Sequence, residues 1–121
     1  MDDGTRQSGD DLTELLKGVL EGCVMQILSH NPSYGYEIVR ALHGAGFASV
    51  VEGTVYPILL RLEKKNCVDV AQVSSKLGPP RKVYTLNAAG EAALASFWQR
   101  WEFVSARLAQ IKGNGSQGER Q

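Results

Sequence analysis

The residues in this sequence best equipped for chemistry are hydroxyls and cations, spaced to fall on one side of a helix and then on a projecting hairpin. Between Gly53 and Asn66 the chain reads GTVYPILLRLEKKN. At roughly 100° per residue, Val55, Ile58, Leu59 and Leu62 share one stripe, the i, i+3, i+4, i+7 spacing of a helix packed on a core. The opposite side carries Thr54, Pro57, Leu60, Arg61 and Lys64, with Tyr56 and Lys65 on its flanks. With Thr54 as N-cap, Pro57 falls at N3, where its missing N–H costs no helical bond. A hydroxyl, a phenol and several cations on an exposed first turn suit phosphates and base edges. The plainer alternative is a solvated amphipathic helix. Beyond it, Lys76, Arg81 and Lys82 place cations on a second element.

Other chemistries find little support. There is no nucleophile with a base, no paired carboxylates and no glycine-rich phosphate loop at usable spacing, so neither an enzyme nor a cofactor is expected. His30 and His43 fall at expected helix ends with no Cys, Asp or Glu at ligand spacing, which argues against a metal. Cys23 and Cys67 suit buried thiols in a reducing compartment, with a redox-sensing pair as the alternative. The formal net charge is zero, so a nucleic-acid footprint has to come from local placement of charge. No apolar run approaches the ~18 residues of a membrane span. The opening MDDGTRQSGDD is the reverse of a secretory n-region, and a cytoplasmic location is expected.

The elements that must position these groups follow from periodicity. Residues 1–11 read as a polar, disordered tail. Asp11 with Glu14 resembles a capping box, and Leu12, Leu15, Leu16, Val19, Leu20, Cys23 and Ile27 predict one long helix to about Ser29. Gly18 and Gly22, four apart, mark a place where another helix approaches. Ser33 can cap a second helix from Tyr34 to about His43, with Tyr34, Ile38, Ala41 and Leu42 inward. After Asn66 the period becomes 2: residues 68–73 and 81–86 read as strands joined by SSKLGPP, leaning on the helices through Val68, Val70, Tyr84 and Leu86. Asn87 caps a last helix to about Lys112, whose stripe is Leu94, Phe97, Trp98, Trp101, Val104, Leu108 and Ile111. A small domain has little surface to cover that stripe, so a second subunit is expected. Residues 113–121 read as a disordered tail.

The parts compose a mainly α fold with a small β-hairpin: a winged helix-turn-helix over residues 12–86 and a dimerisation helix over 87–112. The third helix would enter a major groove and the hairpin would reach the neighbouring backbone or minor groove. YGYEI (Tyr34 to Ile38), EGTVYPILLRLEKKN (Glu52 to Asn66), RKVYTL (Arg81 to Leu86) and NAAG (Asn87 to Gly90) resemble the signatures of PadR-type winged-helix transcriptional regulators, in their shorter group with one C-terminal helix. The likeness covers about Leu12 to Lys112. It implies a homodimer joined by the last helix, a pseudo-palindromic double-stranded operator, repression, and release by a small molecule. The basic helix front and the hairpin make Thr54, Tyr56, Arg61, Lys64, Lys76, Arg81 and Lys82 the expected DNA-binding set, and the stripe on the last helix makes Leu94, Phe97, Trp101, Val104, Leu108 and Ile111 the expected dimer contacts. Trp98 and Trp101 resemble the aromatics with which some members hold flat drug-like molecules between subunits. Where the family usually has lysine before the equivalent of Arg61, this chain has Leu60, which exchanges a phosphate contact for an apolar one to a thymine methyl. A winged helix retained for protein binding is the alternative that zero net charge keeps open; whether Arg61, Lys64, Lys76, Arg81 and Lys82 share one face discriminates the two.

Overall fold

The structure, a computed structural model, describes the backbone of residues 10–120 and the side chains of residue 12 and residues 14–113. The tail expected over 1–11 therefore lies, for residues 1–9, outside the described residues. In chain order the elements are α1 (Asp10–Leu15), α2 (Val19–His30), β1 (Ser33–Tyr34), α3 (Gly35–Gly44), α4 (Glu52–Lys64), β2 (Val68–Ser75), β3 (Gly78–Leu86) and α5 (Ala88–Arg120). This is a mainly helical winged helix with a three-stranded antiparallel sheet and a long C-terminal helix.

The single helix expected from Asp11 to Ser29 is two helices. Gly18 has φ +83°, a left-handed conformation that glycine adopts without a Cβ penalty. The chain turns there, with the Val19 N–H donating to the Leu16 carbonyl at 2.9 Å. The turn resets the phase of the apolar face: Leu20, Val24, Met25 and Leu28 are buried, Leu16, Val19, Cys23 and Ile27 only partly so, and Leu15 is exposed. A Cβ on Gly18 would meet nothing within 4 Å, so its role is conformational. Gly22 behaves as expected: a Cβ there would overlap the Phe97 ring of α5.

The core is built from Leu20, Val24 and Leu28 of α2, Ile38 and Leu42 of α3, the expected Val55, Ile58, Leu59 and Leu62 of α4, and Val68, Tyr84 and Leu86 of the sheet. Leu94 and Phe97 close it from α5. On α3 the inward positions are Ile38, Val39 and Leu42, and Ala41 is exposed. Ser33 does not cap this helix. Its hydroxyl donates to the Asn31 carbonyl at 3.0 Å, and the Tyr34 N–H donates to Glu37 Oε1 at 2.8 Å.

Ser33 and Tyr34 instead form a strand too short to show any period, paired to Tyr84 and Val83 of β3. The sheet order is β1-β3-β2, and β2 pairs with β3 from Val68↔Leu86 to Ser75↔Gly78, with an irregularity between Val73 and Ser75. The hairpin is thus longer than expected and only Lys76 and Leu77 connect its strands. Pro79 and Pro80 sit beside that irregularity, beyond the reach of β1, where a missing N–H is tolerated.

Two helix ends also differ from expectation. α4 begins at Glu52 with Val51 as N-cap, and the Thr54 N–H donates to the Val51 carbonyl at 2.9 Å. Thr54 is inside the first turn, and Pro57 leaves the carbonyl of exposed Gly53 without its helical donor. At the other end α5 continues to Arg120, so the backbone of the tail expected from Gly113 is helical that far. A nucleated helix gains one hydrogen bond per residue it fixes, and glycines weaken it without ending it.

Asn87 caps α5 as expected, its Oδ1 accepting the Gly90 N–H at 2.9 Å. The same side chain ties the cap to the hairpin base, its Nδ2 donating to the Asn66 carbonyl at 2.9 Å and to Asp69 Oδ1 at 3.2 Å. Gly90 is pressed against the Cys67 carbonyl and Leu86. Because the obstacle includes backbone, Gly90→Ala is expected to lower stability by about 1–3 kcal/mol. Gly44→Ala, where a Cβ meets nothing within 4 Å, should be neutral or stabilising by up to ~1 kcal/mol. Urea midpoints of the two variants check both signs.

Candidate nucleic-acid interface

The start of α3, the first turns of α4 and strand β3 converge on one side of the domain. β1 continues directly into α3 while pairing with β3, which holds the wing beside the tyrosines that open α3. Between them lies an open cleft of about 740 Å³, lined by Tyr34, Gly35 and Tyr36, by Glu52 and Tyr56 of α4, and by Pro80, Arg81, Lys82 and Tyr84 of β3. Glycine at position 35 leaves room for this geometry: a Cβ there would lie 2.6 Å from Tyr56 Oη, and the exposed Tyr56 ring would have to swing aside. The Tyr56 ring can therefore lean across the head of α3.

Within the cleft the aromatic and cationic groups are already in contact. The Tyr34 and Tyr36 rings stack with centroids 5.7 Å apart and planes 13° apart. Arg81 Cζ stands 5.4 Å from the centre of the Tyr36 ring, a distance at which a guanidinium is attracted to the ring's negative face. On the other flank of this pair, a smaller basin of about 320 Å³ is lined by Tyr34, Tyr36, Val73, Ser74, Ser75 and Arg81. Burial pushes the Tyr84 hydroxyl's pKa up, with smaller contributions from Glu63 and Tyr56. At neutral pH it remains a protonated donor at the cleft floor. Hydroxyl donors beside fixed cations suit an anionic backbone, and aromatic faces add van der Waals contact.

The expected site residues separate into three groups. Tyr56, Arg81 and Lys82 meet in the cleft, with Thr54 half-buried in the same first turns of α4. Lys64 is exposed at the far end of α4, and Lys76 stands at the hairpin tip beside Leu77, which is 99% exposed. Arg61 is drawn the other way. Its Nε lies 3.5 Å from Glu21 Oε1 on α2, and Lys65 Nζ lies 3.0 Å from Glu21 Oε2. The cations thus do not all share one unpaired face.

Tyr34, Tyr36 and Glu52 also line the cleft, beyond the residues that the sequence marks, and Tyr34 is half-buried at its wall where the periodicity places it in the core. The available signal was the pair of phenols bracketing a glycine at the head of a helix, a pattern that core packing alone does not require. Glu52 brings a negative charge to the cleft's lip.

Away from the cleft, α5 divides into a covered and an uncovered part. Leu94 and Phe97 are buried within the chain itself, so their burial needs no second subunit. Trp98 is held by its indole N–H, which donates to Gln26 Oε1 at 2.8 Å, and its ring meets Phe97 edge-on at 5.0 Å. Past it, exposure rises through Trp101 at 39%, Val104 at 46% and Leu108 at 58% to Ile111 at 70%.

His43 Nε2 is 2.6 Å from the Val50 carbonyl, and His30 Nε2 is 3.2 Å from Gln26 Nε2. Both are bracing contacts. Among the described residues no three His, Cys, Asp or Glu gather as metal ligands, and no helix is long and apolar enough to cross a membrane. Both cysteines are free thiols, and burial pushes Cys23 up, away from the reactive thiolate.

Comparison with known proteins agrees with this architecture. Residues 24–96 match the transcriptional regulator PadR-like family. A solved transcriptional regulator from Streptococcus is 44% identical, covering 81% of this chain and 96% of its own, with a TM-score of 0.71. A PadR-like regulator from Bacillus cereus is 41% identical over 81% and 95% of the two chains, with a TM-score of 0.70. A PadR-family regulator from Eggerthella lenta, at 25% identity, superposes over 91% of this chain and 93% of its own with a TM-score of 0.78. With a family match across more than half its length and a cleft built from its motifs, the chain belongs to the PadR-like family of transcriptional regulators, which act by binding DNA and not as enzymes.

Proposed function

We propose that the chain binds a pseudo-palindromic operator as a homodimer and represses transcription until a planar apolar ligand releases it. The observation that carries the DNA-binding part is the meeting of Tyr56, Arg81 and Lys82 in one cleft, where a helix start and a wing flank the same space. α4 enters the major groove with Thr54 and Tyr56 nearest the bases, while Arg81 and Lys82 hold the adjoining backbone and Lys76 reaches beyond them. The two halves of the operator lie about one helical turn, ~34 Å, apart, because a two-fold protein requires a two-fold site. The dimer forms through the uncovered stripe of Trp101, Val104, Leu108 and Ile111, whose exposure would otherwise leave a large apolar patch in water.

The binding mode is tested by salt-dependent gel-shift titration against the DNA upstream of the chain's own gene and against a scrambled duplex. Lys76→Ala and Lys82→Ala should weaken both complexes alike and lower the slope of log K against log salt by about 0.9 each. Thr54→Ala and Tyr56→Ala should cost preference for the upstream DNA. Equal affinity of the unaltered protein for both duplexes, with unchanged slopes in the lysine variants, would instead favour a protein-binding winged helix, a reading to which Glu52 in the cleft lends some chemistry.

Ligand release rests on the indoles. Trp98 is fixed against α2 by its bond to Gln26, and Trp101 belongs to the uncovered stripe, so a flat molecule between the subunits would stack on Trp101 and alter how two α5 helices meet. Such a ligand acts only if it binds the DNA-free arrangement more tightly than the bound one. Titration with planar cationic and phenolic compounds should quench tryptophan fluorescence saturably and release DNA. Trp101→Ala, at matched dimer content, should abolish both effects; a variant that merely dissociates, with no quenching in the unaltered protein, rejects the pocket.

A further inference from the structure

Three cations lie on the last two turns of α4 or directly after it: Arg61, Lys64 and Lys65. Two of them are already engaged by a single carboxylate, Glu21, one oxygen of which forms an ion pair with Arg61 Nε at 3.5 Å while the other accepts a hydrogen bond from Lys65 Nζ at 3.0 Å. The partners are unequally shielded: the Glu21 side chain is 19% exposed, those of Arg61 and Lys65 52% and 57%. Glu21 lies in the first turn of α2 and Arg61 in the last turn of α4, so each charge also complements the dipole of its own helix.

Glu21 cannot follow these cations outward. It sits between buried Leu20 and buried Gly22, and Gly22 is closed over by the Phe97 ring. The backbone that carries the carboxylate is therefore pinned by the packing of α2 on the core and on α5. Arg61 follows Thr54 by seven residues on the same flank of α4, roughly 10 Å along the helix at 1.5 Å per residue, and Lys65 follows Arg61 by one turn. A helix lying in a groove with Thr54 near the bases would offer that flank to a phosphate strand.

We propose that Glu21 sets the strength of DNA binding by withholding Arg61 and Lys65 from the phosphate backbone. This rests on the assignment of α4 as the DNA-reading helix. Phosphate neutralisation supplies nearly all of the non-specific affinity and a share of the specific affinity, so an internal carboxylate that occupies two cations lowers binding to arbitrary sequence and to the operator alike, and leaves base contacts a larger share of the operator total. Arg61, expected from sequence to contact DNA, thereby becomes a strut between α2 and α4.

The test is fluorescence anisotropy of the full chain across a salt series, with a labelled duplex from upstream of its own gene and a scrambled duplex of equal length. Glu21→Gln should steepen the salt slope on the scrambled duplex by about 0.9 for each cation released, up to roughly 1.8. It should tighten both complexes several-fold and leave the ratio of the two affinities nearly unchanged. Arg61→Gln or Lys65→Gln made alone should leave the scrambled-duplex slope almost unchanged; made in the Glu21→Gln background, each should remove about 0.9 of the gained slope. An unchanged slope in Glu21→Gln overturns the proposal, as does a full loss of ~0.9 from either single cation substitution. If Glu21→Gln fails to fold by circular dichroism, the two single cation variants decide the matter. Unaltered protein that binds neither duplex removes the functional reading and this inference together; normal operator binding with unresponsive Glu21→Gln removes this inference alone.

Discussion

The contact of the Phe97 ring with Gly22 is the constraint on which the rest of the molecule depends. Only a residue without Cβ lets the Phe97 ring lie this close over α2, and in that position Leu94 and Phe97 are buried as the last wall of the core. It also fixes the direction in which α5 leaves the domain. Beyond Trp98, which still reaches Gln26 of α2, the apolar stripe of the helix becomes progressively exposed toward Ile111. α2 is thus packed on one side against the helix that bears the uncovered stripe and tied on another, through Glu21, to the basic helix. Any change in the angle of α5 has a rigid element through which to reach α4.

The cleft depends on a second, smaller constraint. Two residues of β1 hydrogen-bond to β3 just before α3 begins, so the wing and the tyrosines of α3 are positioned by one short ladder. Gly35 then lets Tyr56 fold over the helix start, and Arg81 stands at the Tyr36 ring. The wing is held by pairing and by cation–π attraction as well as by Val68, Tyr84 and Leu86 in the core. Beyond that anchored half it projects with polar and cationic residues, ending in Lys76 and Leu77.

Periodicity made the large features legible. The stripe of Val55, Ile58, Leu59 and Leu62 is buried, the hairpin pairs from Val68↔Leu86, and Asn87 caps α5, because each rests on a pattern local in sequence. What was not legible depended on tertiary context. Gly18 broke the first helix because its left-handed backbone is chosen by how α1 leaves α2, which no local pattern encodes. β1 escaped notice because two residues cannot show a period. Thr54 looks like a cap by type, but the chain had already turned at Val51. Of the candidate site, Tyr56, Arg81 and Lys82 were found by charge and spacing. The pairing of Arg61 with Glu21, forty residues away in sequence (61 − 21), and the tyrosines of the YGY motif belong to packing between elements.

The most direct test of the account is amide and side-chain chemical-shift mapping by NMR as the full chain is titrated with its upstream DNA. The largest changes are predicted at Tyr34 to Tyr36, Thr54 to Tyr56 and Lys76 to Lys82, the three segments that meet at the cleft and wing, with Trp98 and Trp101 little affected. Shifts confined to α5, or spread evenly over the surface without saturation, would contradict it.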